Sequence, residues 1–165
     1  MYNLKMRIRP AQTEDTASII NLGHCLISEH QKLDLFHYQV EEDFSGLFSN
    51  WVRDTMANLN HFIIVAENEE DESKIIGFIS GFIKVLYPWF KQKYIGHISF
   101  LVVDPAFRNK NIGDLLEKKA CGWFRQRNLK TIELFVDTNN FLGNQAWKSY
   151  GFIPAKKLLR KIIQT

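Results

Sequence analysis

The sequence predicts one α/β domain in which a mixed sheet carries helices on both faces, and three observations lead there. Apolar runs of strand character alternate with stretches of helical periodicity, in the order β-α-α-β-β-β-α-β-α-β, an alternation that builds layered sheet-and-helix domains. No Pro/Gly/Ser-rich linker and no internal repeat divides the 165 residues, so 1–165 reads as a single domain. At that length a chain buries roughly 70% of its unfolded surface without help from disulfides or metals. A strand that ends at Val103 leads through a short loop directly into a helix at Ile112, a junction with free backbone N–H groups.

The elements follow in chain order. Met6 to Pro10 reads as a short strand stopped by its proline. Thr13 is the expected N-cap of a helix running to about Glu29, with Glu14 and Asp15 in the first turn, where the helix dipole favours acids. Val40, Phe44, Leu47, Phe48, Trp51, Val52, Thr55, Met56 and Leu59 keep one apolar stripe at helical spacing, read as core. Phe62 to Ala66 and Ile75 to Val85 read as an antiparallel hairpin around an acidic loop, with Gly77 and Gly81 marking a bulge or a close backbone approach. Tyr87-Pro88-Trp89 breaks the pattern, and Ile95 to Val103 is the next strand. Ile112, Leu115, Leu116, Ala120, Trp123 and Phe124 form the apolar face of a helix that ends near Arg127. Thr131 to Val136 is a strand, Leu142 to Ser149 a short helix, and Phe152 to Ile163 a last strand or pair of strands.

Composition narrows the function. The 45% hydrophobic and 24% charged fractions are those of a soluble globular chain, and thirteen phenylalanines with four tryptophans make it aromatic. A net charge of only +3 argues against a nucleic-acid partner, which asks for a concentrated basic face. The acidic run at Glu67, Glu69, Glu70, Asp71 and Glu72 and the basic run at Lys156, Lys157, Arg160 and Lys161 read as a solvated loop and a solvated edge strand. Cys25 and Cys121 lack metal-ligand spacing and read as small buried residues, so no metal is expected. No signal-like or membrane-spanning apolar run is present, and a cytoplasmic protein without a membrane partner is expected.

The stretch from Val103 to Leu116 carries the functional signal. A helix N-terminus offers unpaired N–H groups and the positive end of its dipole, and Arg108 and Lys110 add charge, so a pyrophosphate fits the chemistry. Val103-Asp104-Pro105-Ala106-Phe107-Arg108-Asn109-Lys110-Asn111-Ile112-Gly113-Asp114-Leu115-Leu116 resembles the acetyl-CoA motif of the GNAT family of N-acetyltransferases: Arg or Gln, two residues, Gly, one residue, then Gly or Ala. Asn111 stands where the family has its first glycine, and asparagine is among the few other residues that tolerate a left-handed backbone. The order of elements and the late Gly151-Phe152 pair extend the resemblance over nearly the whole chain.

The resemblance implies a GNAT fold, a mixed and mostly antiparallel twisted sheet of six to seven strands, and an acetyl-CoA cosubstrate. It implies that the backbone of Arg108, Asn109, Lys110, Asn111, Ile112, Gly113 and Asp114 cradles the pyrophosphate and that Leu101, Val102 and Val103 serve the pantetheine arm. Asn140, eleven residues before Gly151, and Trp147 are the implied further cosubstrate contacts.

Acetyl transfer needs a neutral amine, a polarised thioester carbonyl and a proton for the leaving thiolate. Backbone N–H groups of Val103 and Val102 are the expected oxyanion donors. Relatives often place a glutamate where Ser99 stands, and His97, two residues earlier and so expected on the same strand face, is the base candidate. Glu133 and Asp137 on the adjacent strand are weaker candidates for the same task. The family's usual acid is a tyrosine four residues before Gly-Phe; Trp147 stands there, leaving Tyr150. Catalytic candidates are therefore His97, Ser99 and Tyr150. His24, Glu29, His30, Asp34, His37, Glu41, Glu42 and Asp43 fall on the acceptor side implied by relatives, and Tyr87, Trp89 and Phe90 are expected to form an aromatic wall.

Two functions stay open at this stage. One is direct transfer from acetyl-CoA to a primary amine, on a small molecule or a peptide, in a ternary complex, by a monomer or homodimer. The other is a non-catalytic acyl-CoA-binding module, suggested by Ser99 and Trp147 at positions where relatives carry proton-handling groups.

Overall fold

A computed structural model describes residues 5–71 and 74–163. They form two compact units, one up to Phe135 and one from Val136 onward.

The first unit holds a five-stranded sheet in the order of the chain. β1 (Met6–Pro10), β2 (His61–Asn68), β3 (Lys74–Val85) and β4 (Tyr94–Val103) pair antiparallel, and β5 (Ile132–Leu134) lies parallel to β4. Helices α1 (Thr16–Leu33) and α2 (Phe44–Ala57) cover one face: Ile19, Leu22, Phe48 and Val52 pack with Ile63, Val65, Phe78 and Val102. Helix α3 (Ile112–Arg125) covers the other face, where the Phe124 ring lies 5.3 Å from Phe62 and fills the space that a side chain at Gly96 would take. Burying side chains such as Phe78, Phe124 and Leu116 stabilises the unit by about 1.5–3 kcal/mol each.

The helix signals were displaced by a few residues. Asp15 is not merely a first-turn acid: it accepts from the Gln12 N–H (2.7 Å) and from both ends of the Arg9 guanidinium, which fixes a 3-10 turn at Thr13–Asp15 and starts α1 only at Thr16. α1 then runs on to Leu33, past the expected end at Glu29. α2 is capped by Asp43, whose carboxylate accepts from Gly46 N–H at 3.0 Å, so Val40 and Leu59 fall outside the helix and are exposed.

The acidic run is not wholly a solvated loop. Glu67 is in β2, 3% exposed, with Oε2 accepting from Arg7 and Arg9 of the neighbouring strand; Glu72 lies outside the described residues. Arg9, then Arg7, hold this carboxyl at about 2 against the opposing effect of burial. Cys25 is exposed rather than buried, because it projects from the outer side of α1. Cys121 is half-buried and donates to Glu117; burial, helped by that carboxylate, pushes its thiol up to about 12.

In the second unit α4 (Phe141–Ser149) is capped by Asn140 and followed by Gly151 at φ 90. The expected last strand is absent among the described residues, so five strands stand in place of six to seven. Phe152 to Ile163 contains Pro154 and four cations, and a helix with loops gives it no ladder partner within its own unit. β5 is also shorter than expected. Asp137 belongs to a turn in the second unit, where its carboxylate accepts from Asn139 N–H at 2.8 Å.

Candidate active site

The C-terminal half of β4 is the site's backbone. β4 pairs with β5 only from Gly96 to Ile98, so from Ser99 to Val103 its ladder partner among the described residues is β3 alone. Asp104 N–H donates to Ile76 O at 2.9 Å. Alternation then turns the N–H and C=O of Val102 toward β3 and those of Leu101 and Val103 toward the open edge. Arg108 Nε reaching Val103 O at 3.4 Å agrees with that direction. Of the two expected oxyanion donors, Val103 presents its N–H to the open edge and Val102 does not.

A bulge re-aims this strand. Ser80 pairs with Phe100 and Gly81 with Ile98, which leaves Ser99 as the extra residue. His97 and Ser99 are therefore not related by simple alternation, contrary to expectation. By register His97, opposite Phe82, shares its face with Phe100, opposite Ser80, which is the face of α1 and α2. Gly81 is required here, since a Cβ would lie 2.5 Å from His97 O.

After β4 the chain makes a 3-10 turn at Pro105–Phe107, held by the Asp104 carboxylate accepting from Ala106 N–H at 2.9 Å. Asn109 (φ 62) and Asn111 (φ 60, ψ 13) both take the left-handed conformation, so Asn111 adopts the backbone for which a glycine is usual. α3 starts at the next residue. The N–H groups of Ile112, Gly113 and Asp114 have no carbonyl within the helix to bond, and they concentrate the positive end of its dipole at the loop. Cations gather beside it: Lys110 and Lys74 lie 5.0 and 5.4 Å from the Phe107 ring, with Arg108 exposed next to them. Lys74 was not singled out by the sequence; it enters β3 far from the loop in chain order. Lys74 Nζ is also 3.7 Å from Asp104 Oδ2, which offsets its charge, so the backbone donors, the dipole, Arg108 and Lys110 are what suit this loop to a phosphate group.

His97 sits on β4 beneath two rings, with centroid distances of 4.8 Å to Phe82 and 5.4 Å to Phe135. It is 8% exposed, and its Nδ1 lies 3.5 Å from Glu133 Oε1, an electrostatic contact longer than a formed hydrogen bond. Glu133 Oε1 also accepts from Lys84 Nζ. Burial pulls His97 below its ordinary value, Glu133 opposes that and Lys84 reinforces it. Burial acts to raise Glu133, but Lys84 and His97 outweigh it and hold the carboxyl below its ordinary value. The net effect favours the neutral imidazole, the form that accepts a proton. Lys84 was missed in the sequence, although it is the one charge in the apolar run Ile75 to Val85.

Several acceptor-side candidates are engaged locally. His24 Nε2 is 2.9 Å from Ser45 Oγ, His30 Nδ1 is 2.8 Å from Leu26 O, Glu29 pairs with Lys32, and Asp34 and Asp43 accept from backbone N–H groups. Tyr87 and Trp89 stack 4.7 Å apart at the exposed tip between β3 and β4, with Phe90 beside them. In the second unit Asn140 Oδ1 accepts from Gly143 N–H at 2.9 Å. Trp147 there meets Tyr150 and Phe152 edge-on at 5.7 and 5.3 Å.

Known proteins share this architecture. The model of the acetyltransferase (GNAT) family matches residues 26–152. An uncharacterized N-acetyltransferase of Archaeoglobus fulgidus is 27% identical over 147 residues, which cover 87% of this chain and 90% of that one. A Bacillus halodurans protein solved as a tetramutant superposes with a TM-score of 0.84 at 21% identity, over 95% of this chain and 99% of that one. A predicted acetyltransferase of Clostridium acetobutylicum, solved with acetyl-CoA, gives a TM-score of 0.73 at 20% identity, over 96% of each chain.

Proposed function

We propose that this chain, which belongs to the acetyltransferase (GNAT) family, transfers the acetyl group of acetyl-CoA to a primary amine by direct attack in a ternary complex. The observation that carries the proposal is the left-handed Asn111 opening α3 beside the open edge of β4. The amides of Arg108 to Asp114 hold the pyrophosphate, with the side chains of Arg108 and Lys110 adding charge. The groups of Leu101 and the carbonyl of Val103 that face the open edge hold the pantetheine arm, and Val102 supports the same stretch of strand. Family resemblance adds Asn140 and Trp147 as cosubstrate contacts.

In the chemical step the amine lone pair forms a bond to the thioester carbonyl carbon, and the carbon–sulfur bond breaks as the thiolate leaves. His97 takes the proton that the amine gives up, directly or through one water, as a neutral buried imidazole suits. Val103 N–H donates to the oxygen on which negative charge develops. Ser99, at the bulge, bonds the incoming amine, and Tyr150 is the proposed proton source for the thiolate. The acceptor is a small amine or a peptide amine, taken up by a cytoplasmic monomer or homodimer.

Ser99 and Trp147, at positions where relatives carry glutamate and tyrosine, favour a second reading as an acyl-CoA-binding module without catalysis. Thiol release from acetyl-CoA in the presence of a panel of amines and peptides decides between them. Acceptor-dependent thiol supports transfer; thermal stabilisation by CoA with no such thiol supports the binding module.

A further inference from the structure

We infer that Glu133 of β5 and Lys84 of β3 act together as positioning residues for His97, fixing which ring nitrogen carries its proton and how readily the other takes one up. The inference rests on His97 as the base and goes beyond it, because it concerns groups that touch neither amine nor thioester.

The geometry is a row across three strands. Lys84 Nζ donates to Glu133 Oε1, and the same oxygen faces His97 Nδ1 at 3.5 Å. Glu133 and His97 are opposite one another in the parallel ladder, so the contact is set by register and not by chance side-chain reach. Among the described residues His97 Nδ1 is one of two buried side-chain polar atoms without a hydrogen-bond partner, and Glu133 is its nearest charged neighbour. A carboxylate only accepts, so the facing Nδ1 is the nitrogen that bears hydrogen, and Nε2 keeps the lone pair. As positive charge builds on the imidazole, its attraction to the carboxylate facing it at 3.5 Å grows.

The charges on the row have opposite effects. Glu133 favours the imidazolium and Lys84 disfavours it, and the Phe82 and Phe135 rings lie against the imidazole between them. The Lys84 ammonium is also 6.0 Å from the Phe135 ring, so one aromatic lies against both partners. His61, from β2, stacks on the far side of Phe82 and is separated from His97 by that ring.

The test is nitrogen NMR of the imidazole rings through a pH titration, with the His97 signals assigned by their loss in His97→Gln. It needs no acceptor, so it stands or falls separately from thiol release. In the parent protein the neutral His97 is expected as the Nδ1–H tautomer. Glu133→Gln is expected to move the His97 titration to lower pH, and Lys84→Met, which keeps the aliphatic stem, to higher pH. The double variant is expected to return close to the parent, since both charges are gone. Opposite shifts support the inference, because loosened packing moves both variants the same way. An Nε2–H tautomer in the parent protein, or two shifts of the same sign, overturns it.

Discussion

Glu67→Gln isolates the charge cluster behind the candidate site. Glu67 Oε2 accepts from Arg7 Nε (2.9 Å), Arg7 Nη2 (2.8 Å) and Arg9 Nε (2.8 Å), in a position only 3% exposed. It sits at the bulge where β2 meets β3, next to Ile76, whose carbonyl receives the last hydrogen bond before the loop. Removing one partner of a buried pair costs about 3–5 kcal/mol. Here the lower side applies, because Arg7 is exposed and Arg9 keeps its two bonds to Asp15. We expect a loss of about 2–3 kcal/mol at neutral pH, from urea unfolding of parent and variant. The carboxyl's folded value of about 2 lies below its ordinary 4.5, so its contribution is complete above 4.5 and fades as pH falls toward 2. The gap between the two proteins should therefore close with acid, whatever other groups titrate in both. A gap of unchanged size near pH 2 refutes the reasoning.

Other perturbations reach the site itself. Asn111→Gly keeps a left-handed backbone available and should leave acetyl-CoA affinity intact, whereas Asn111→Val costs about 1–2 kcal/mol there, read as an affinity about tenfold weaker or more by calorimetry. Gly81→Ala sets a methyl 2.5 Å from His97 O and 2.8 Å from the Phe62 ring, so urea unfolding should show a loss of about 1–3 kcal/mol. His97→Ala should cut amine-dependent thiol release about a hundredfold or more near neutral pH, with the gap narrowing once acid protonates the imidazole of the parent protein; an unchanged pH profile removes His97 from the mechanism. Ellman's reagent at mildly alkaline pH should modify exposed Cys25 and spare Cys121, whose thiol is held up at about 12; equal rates at both contradict that burial.

How much of this was legible depended on whether a feature is local. The strand to Val103, the loop and the apolar face of α3 are encoded in consecutive residues, and Asn111 could be read as a left-handed position because it stands where the resembling family has a glycine. Glu67 could not be recognised as buried, because its partners Arg7 and Arg9 lie on a strand about sixty residues earlier. Ser99 gives no sign of being the bulge, since an extra residue is defined only by the register of the facing strand. Lys84 and Glu133 are 49 residues apart, and only the β3-β4-β5 order brings them to one carboxylate oxygen. The last strand failed for the opposite reason: Phe152 to Ile163 has strand-like composition, but a strand needs a neighbour.

Titration of acetyl-CoA into the parent protein and into the Arg108→Ala/Lys110→Ala variant tests the central claim most directly. Saturable binding of one acetyl-CoA per chain, weakened about tenfold or more in the variant, is the predicted result. No binding to the parent protein, or binding indifferent to both changes, contradicts the assignment of the loop before α3 as the pyrophosphate site.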